Sequence, residues 1–421
     1  MDSLAQAVGH ADRIEPLNNY CTGLLLDGER KSVEPMAARV APDEIRRVHQ
    51  SMHHFVAESP WDDAAMLNQV RNYVFPEMLA KGPVTAWVVD ETSFVKKGTH
   101  SVGVARQYCG RLGKKENCQV AVSLSVATAS ASLPIAFKLY LPEGWASDQA
   151  RCLAAGVPKE VEFQTKPQIA LAQIRQAVID GVKPGVVLAD EVYGSNREFR
   201  AGVAELKLDY SVAVKSTTTV WGLERQALPP KPWKGKGRQA IRMRRDSTHQ
   251  PYTVEQLARE LPKKAWREIS WREGTKETLT SRFAAVRARP AYEDDRKVGQ
   301  QPEQWLLLEW PAEADEPSGF WLSSLPIKTS LKKLVGISKH RWVIERDYEE
   351  LKQEVGLSHY EGRNWRGFHH HATLCIAAYG FLIAERSRFS PSAQVGHLGL
   401  RAARIPPQFK PRGAKGSRAT A

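Results

Sequence analysis

The hydrophobic period of the chain changes at Val84. Before it, apolar residues recur at helical spacing in short stretches broken at Pro16, Gly23, Pro35, Pro42 and Pro60, so residues 1–80 read as several short helices. After it, Val84 to Val89 is a β-rich run that follows Gly82-Pro83 and closes on Asp90-Glu91. Runs from Cys118 to Val126 and from Leu133 to Tyr140 follow at hairpin-like spacing, and three neighbouring antiparallel strands are expected. Helical spacing returns over 164–180 through Ile169, Leu171, Ile174, Ala177 and Val178, and Gly181 stops it. Gly185 to Ala189 is a short apolar strand closing on Asp190-Glu191; a helix over 196–206 and a strand from Tyr210 to Val214 follow.

Three meander strands, helix, strand, helix and strand predict an α/β class with a mixed central sheet, the element order of the ribonuclease-H-like fold. Residues 81–214 are its expected first part. The pattern is then interrupted: Pro229, Pro230 and Pro232 precede short β-like runs at Glu268–Trp271, Phe283–Val286 and Gln304–Trp310, so 215–325 reads as a β-rich insertion. Residues 326–388 are the second part of the core, with an apolar helix at Ala372–Ile383, and 389–421 form a basic, loosely ordered tail.

Within that second part, Ser338 to Lys352 is expected to be one helix. Ser338, Arg341, Glu345 and Lys352 fall in one stripe at spacings of three, four and seven, and Ile344, Tyr348, Leu351 and Val355 form the adjoining apolar face. An ordinary i,i+4 ion pair of Arg341 with Glu345 on a solvated face is the plainer account of that stripe taken alone.

Charge changes the picture. The 421 residues carry a formal net charge of +13, which points to a polyanionic partner. Lys231, Lys234, Lys236, Arg238, Arg242, Arg244 and Arg245 lie in a stretch without an acid, and Trp233 among them is a candidate stacking surface. Arg30, Lys31, Arg39, Arg46 and Arg47 make the N-terminal helices a candidate DNA-binding domain, with a helical cap as the structural alternative. There is no apolar run long enough to span a bilayer and no signal-peptide pattern at the N-terminus, so a cytoplasmic, nucleoid-associated protein is expected. Five scattered cysteines without a C-x-x-C pair predict reduced thiols, and His369-His370-His371 reads as a polar helix start.

Asp90 and Asp190 each close an apolar strand, where ligand groups collect in such sheets. Close carboxylates repel unless a cation holds them, and magnesium takes one or two carboxylates together with substrate phosphates. With Glu345 as a third ligand, the set suits a two-ion site for phosphodiester displacement. Glu91 and Glu191 point to the other strand face. P-loop, G-x-S-x-G and H-E-x-x-H motifs are absent from the sequence.

Arg341-Trp342-x-Ile344-Glu345, with Lys352 seven beyond the glutamate, resembles the signature of DDE-superfamily insertion-sequence transposases. Similar to a cut-and-paste branch of that family are Gly23-Leu24-Leu25, Glu29 to Pro35, the stretch from His54 to Trp61, Lys97 to Tyr108, Asn117-Cys118-Gln119 and Tyr360-Glu361-Gly362-Arg363. The resemblance implies catalysis by Asp90, Asp190 and Glu345 with Mg2+ or Mn2+, in two ions. It also implies DNA contacts by Arg341, Trp342 and Lys352, and a homodimer acting on the element's terminal inverted repeats and on target DNA. The family's tyrosine falls on Ser338, whose hydroxyl is expected to donate to DNA over a shorter reach. The rival expectations are a ribonuclease-H-like nuclease or resolvase that does not join strands, and a domesticated DNA-binding regulator.

Overall fold

The computed structural model describes residues 2–389 apart from 223, 226, 274–277 and 293–300. The expected tail from 390 onward lies outside the described residues. In chain order the elements are α1 (Asp2–Ala5), α2 (Ile14–Leu25), α3 (Val33–Val40), α4 (Ile45–Ala57), α5 (Asp63–Ala80), β1 (Ala86–Val95), β2 (Ala105–Cys109), β3 (Lys114–Ala127) and β4 (Ser132–Leu139). Next come α6 (Glu143–Ala146), α7 (Gln149–Ala154), α8 (Lys166–Ile179), β5 (Val186–Ala189), α9 (Glu191–Gly194), α10 (Arg197–Glu205) and β6 (Tyr210–Ala213). The remainder is β7 (Thr219–Gly222), β8 (Tyr252–Thr253), α11 (Val254–Glu260), β9 (Arg267–Glu273), β10 (Thr278–Pro290), β11 (Gln304–Trp310), β12 (Gly319–Ser323), α12 (Leu331–Lys339), α13 (Trp342–Gln353) and α14 (Trp365–Phe389).

The chain divides into two compact units. One holds residues up to Val84, Asp90–Ile169 and the chain from Val343; the other holds Thr85–Val89 and Ala170–Trp342.

In the first unit the N-terminal helices do not stand apart as a domain: α2, α4 and α5 pack on α14. Gly380 lets α14 lie close to α5, since a Cβ there would meet Val70 and Val74 methyls at 3.0 Å. β3 is the hub of the strands, antiparallel to β2 through Ala105↔Cys118 and to β4 through Ala121↔Leu139. The expected meander lacked β2, whose polar alternation Arg106, Tyr108 faces out while Cys109 is buried.

α14 begins at Trp365, earlier than expected, and the three histidines lie inside it, all buried. This corrects the polar helix start. His369 Nε2 accepts from the Leu139 N–H and His371 Nδ1 meets the Tyr20 hydroxyl at 2.9 Å. The His370 ring stacks on Trp61 with centroids 3.6 Å apart. Burial drives all three imidazoles down to about 4, so they are neutral links from α14 to its neighbours.

In the second unit β1 contributes Ala86–Val88 in parallel register with Val186–Leu188 of β5, and β5 runs parallel to β6. Parallel strands buried on both faces read as continuous apolar runs, which is how Trp87-Val88-Val89 and Val187-Leu188-Ala189 are written. The segment expected as an insertion is not a separate body: β12 pairs antiparallel with β6, and β11, β10, β7 and β8 extend the sheet beyond it, with β9 on β10. Val214, Val220, Val254, Leu306, Leu308, Phe320 and Leu322 share one apolar cluster there. The result is a mixed α/β fold with a mixed sheet.

Candidate active site

Asp90 does not end its strand. β1 continues through Thr92, Ser93 and Phe94 to Val95, so Asp90 sits mid-strand, 8% exposed, and one of its oxygens accepts the Glu91 N–H at 2.8 Å. The polar letters after Val89 suggested a strand end, but Thr92 and Ser93 are buried, and the Ser93 hydroxyl lies 3.2 Å from Cys109 Sγ. Glu91 turns to the other face and pairs with Lys166 at 2.7 Å, the alternation expected along a strand.

Asp190 follows β5 directly and is half-buried. It caps α9 by accepting the Val192 N–H at 2.9 Å, while Glu191 is exposed.

The expected single helix from Ser338 to Lys352 is two. α12 closes at Lys339, where the His340 N–H turns back to the Ile337 carbonyl, and α13 starts at Trp342. Ser338 is therefore on α12, 4% exposed, bonded to Ser211 Oγ at 2.7 Å and donating to the Leu334 carbonyl at 2.8 Å. Both interactions of the hydroxyl expected to reach DNA are internal to the second unit. Arg341 lies in the break between the helices, and Trp342 stacks under the Arg272 guanidinium at 4.0 Å.

Glu345 is exposed on α13, seven residues before Lys352 and so on the same helical face, about 10 Å along the axis. Ile344, Tyr348, Leu351 and the following Val355 are buried as the period predicted, and the Tyr348 hydroxyl meets Ser123 Oγ at 2.7 Å. Lys352 Nζ donates to the Ser93 carbonyl at 3.1 Å and lies over the Phe94 ring. Burial, then the Arg111 charge, bring this ammonium down to about 8, and the Asp90 charge opposes that fall. Asp90 and Lys352 are thus electrostatically coupled within the first unit.

Sequence patterning missed Asp347 on the same helix. It is fully buried and accepts from Ser132 and, at 2.8 Å, from the Tyr379 hydroxyl. In the sequence it is one letter of a charged run, Glu345-Arg346-Asp347-Tyr348-Glu349, with nothing to mark its burial.

The insertion cations fall in two groups. Lys231, Lys234, Lys236, Arg238 and Arg242 are exposed on irregular chain, and Trp233 is 55% exposed with its indole donating to the Gly237 carbonyl. Arg244 and Arg245 are tied to the Pro229 and Tyr292 carbonyls at 3.0 and 2.9 Å. Lys31 is buried, its ammonium on the Leu24 and Glu354 carbonyls.

Among the described residues, no group of three or more His, Cys, Asp or Glu side chains is placed to hold a metal by itself. No helix among them is long and apolar enough to cross a membrane.

Residues 3–278 match the family model described as DDE superfamily endonuclease. Over 212 residues the chain is 34% identical to the probable transposase for insertion sequence element IS701 of Microchaete diplosiphon, covering 50% of this chain and 51% of that protein. The match thus spans about half the length of that curated relative. The family match includes Asp90 and Asp190 and ends before Glu345.

Proposed function

Because the chain belongs to the DDE superfamily endonuclease family, we propose that it is the transposase of an insertion sequence. It cuts the phosphodiester bond at each end of its element and joins the freed 3′-hydroxyl to target DNA. Both steps are in-line displacements at phosphorus, so one site serves both. The observation that carries the reading is the anchoring of a half-buried ammonium, Lys352, on the strand of the buried carboxylate Asp90, through the Ser93 carbonyl, from a helix that also presents Glu345.

Asp90, Asp190 and Glu345 are assigned as the carboxylates that hold divalent metal. The donor set is all oxygen, which suits Mg2+ or Mn2+, and such ions keep waters and substrate phosphates in their shell instead of requiring a full protein cage. When bound, a pair of ions would polarise the attacking and leaving oxygens. The protein's own groups do the rest. Asp90 is held by β1 and by the Glu91 N–H that its carboxylate accepts, Asp190 is oriented by the cap of α9, and Lys352 supplies positive charge to a strand phosphate. Arg341 and Trp342, the exposed cations at 231–242 and the N-terminal helices are assigned to DNA contact, and the active complex to a homodimer.

The test uses a plasmid carrying the inverted repeats that flank the gene. Asp90→Asn, Asp190→Asn and Glu345→Gln should each abolish magnesium-dependent cleavage and leave end binding within about threefold. Cleavage retained by Glu345→Gln would remove it as a ligand and turn attention to exposed Glu349. Pre-cut ends bearing a 3′-hydroxyl should join to a second plasmid; cleavage without joining would identify a nuclease instead.

A further inference from the structure

A polar cavity of about 490 Å³ lies wholly within the first unit, walled by the loop after β1 and the loop after α13. Lys96, Lys97, His100 and Ser101 come from one side, Ser358, His359, Glu361 and Arg363 from the other, and Arg30 from the connection between α2 and α3. The walls are fixed to each other: the Val102 N–H donates to the Arg363 carbonyl at 2.9 Å, and Lys96 Nζ to the Tyr360 carbonyl at 2.8 Å.

Two arginines, two lysines and one acid line this space. Glu361 is paired with Arg30, and Lys96 is directed to a carbonyl. That leaves the side chains of Lys97 and Arg363, both exposed, without a hydrogen bond or ion pair among the described residues. Burial first, then the charges of Lys31 and Arg30, lower the pKa of His359, while Glu361 raises it. Its Nδ1 accepts the Lys31 N–H, so the neutral ring carries its proton on Nε2, a further donor. Converging unpaired cations, a neutral donor and hydroxyls in a concave site are the chemistry of an oxyanion pocket.

We propose that this cavity holds a backbone phosphate of the DNA strand being processed, within about six nucleotides of the scissile bond. The spacing follows from β1. Lys96 is six residues beyond Asp90 on extended chain, about 20 Å at roughly 3.3 Å per residue. A strand of duplex DNA advances about 3.4 Å per nucleotide along its axis, so about 20 Å spans at most about six nucleotides. The inference rests on the transposase reading and adds to it a clamp that sets where the cut falls relative to the bound end.

The test measures binding of a duplex carrying the element's terminal repeat, by fluorescence anisotropy in about 0.1 M salt. Lys97→Gln with Arg363→Gln should weaken it roughly tenfold or more and lower the salt slope by about 1 to 2. Glu361→Gln, which frees Arg30, should tighten it. In a series of duplexes each carrying a single methylphosphonate within about six nucleotides of the cut, one position should weaken wild-type binding and have little further effect on the double variant. If wild type binds and cleaves the end while the double variant matches it in affinity and salt slope, the clamp is wrong and the transposase reading stands. If wild type neither binds nor cleaves, both fail. Free mononucleotide displacing the duplex at micromolar concentration would make this a nucleotide site and overturn the proposal.

Discussion

Lys352 on α13 donates to the carbonyl of Ser93 on β1, three residues beyond Asp90, and this bond brings the charge of the helix to the strand that carries the first carboxylate. A half-buried ammonium in that position is a titrating group near physiological pH. Its folded value of about 8 lies below the usual 10.5, so its positive charge is present below pH 8 and lost as pH rises through it. End-binding affinity should therefore fall between pH 7 and 9. Lys352→Arg, always charged, should flatten that fall. Anisotropy titrations across the range decide it, and an equally steep fall in the arginine variant would remove Lys352 as the source.

Asp347 predicts a different pH dependence, in stability. Burial raises its carboxyl from 3.8 to about 7, against the lowering effect of Ser132, Arg346 and Tyr379, while Glu350 adds to the rise. The folded state therefore binds a proton more tightly than the unfolded chain. That contribution is fully present below pH 4 and is lost as pH rises to about 7, with an upper bound of ~4 kcal/mol for a shift of about three units. Urea unfolding of wild type at pH 5 and pH 8 should show part of this loss, and Asp347→Asn should lack it. An unchanged difference in the variant would place the titration elsewhere.

Gly380→Leu should destabilise the first unit by about 1–3 kcal/mol, because a side chain there must displace Val70 and Val74 on α5. The cost should appear as a lower urea midpoint with unchanged m. A midpoint equal to wild type would mean that α14 and α5 are not packed at this glycine.

The insertion cations divide by their bonds. Lys231, Lys234, Lys236, Arg238 and Arg242 replaced by Gln should reduce the salt slope of DNA binding by about 0.9 for each phosphate that the variant no longer neutralises, with little change in thermal stability. Arg244 and Arg245 anchor backbone carbonyls, so their replacement should lower the melting temperature too. A salt slope unmoved by the first set would leave that segment a solvated loop.

The period of hydrophobic residues made most elements legible. The buried strands at Trp87 and Val187, the apolar face of α13 and the strand of β11 all follow from it, because burial on a regular element repeats in the sequence. Where polar residues are buried, the pattern gives no sign. Thr92 and Ser93 hid the second half of β1, and the three histidines hid the first turns of α14. The break at His340-Arg341 has neither Gly nor Pro to announce it. His340 Nε2 lies near Thr85 Oγ1 at 3.3 Å and Trp342 stacks with Arg272, partners distant in sequence. Composition identified the basic segment, but the β12–β6 pairing that joins it to the sheet is a long-range interaction. Arg386 and Arg388, in the last turn of α14, pair with Glu350 and Glu77.

Ser338 gives the sharpest separation between a structural and a DNA-contacting role. Its hydroxyl joins Ser211 to the Leu334 carbonyl in the interior of the second unit. Ser338→Ala leaves the Ser211 hydroxyl without that partner and should cost about 1 kcal/mol in urea unfolding, with end binding and its salt slope unchanged. Ser338→Tyr, which restores the aromatic hydroxyl of the resembled family, must fit a ring where the serine is 4% exposed, and should destabilise the chain by about 1–3 kcal/mol or prevent folding. A tyrosine variant that folds with wild-type stability and binds the terminal repeat more tightly would show that the side chain at this position reaches DNA, and would reverse the assignment drawn from its two internal bonds.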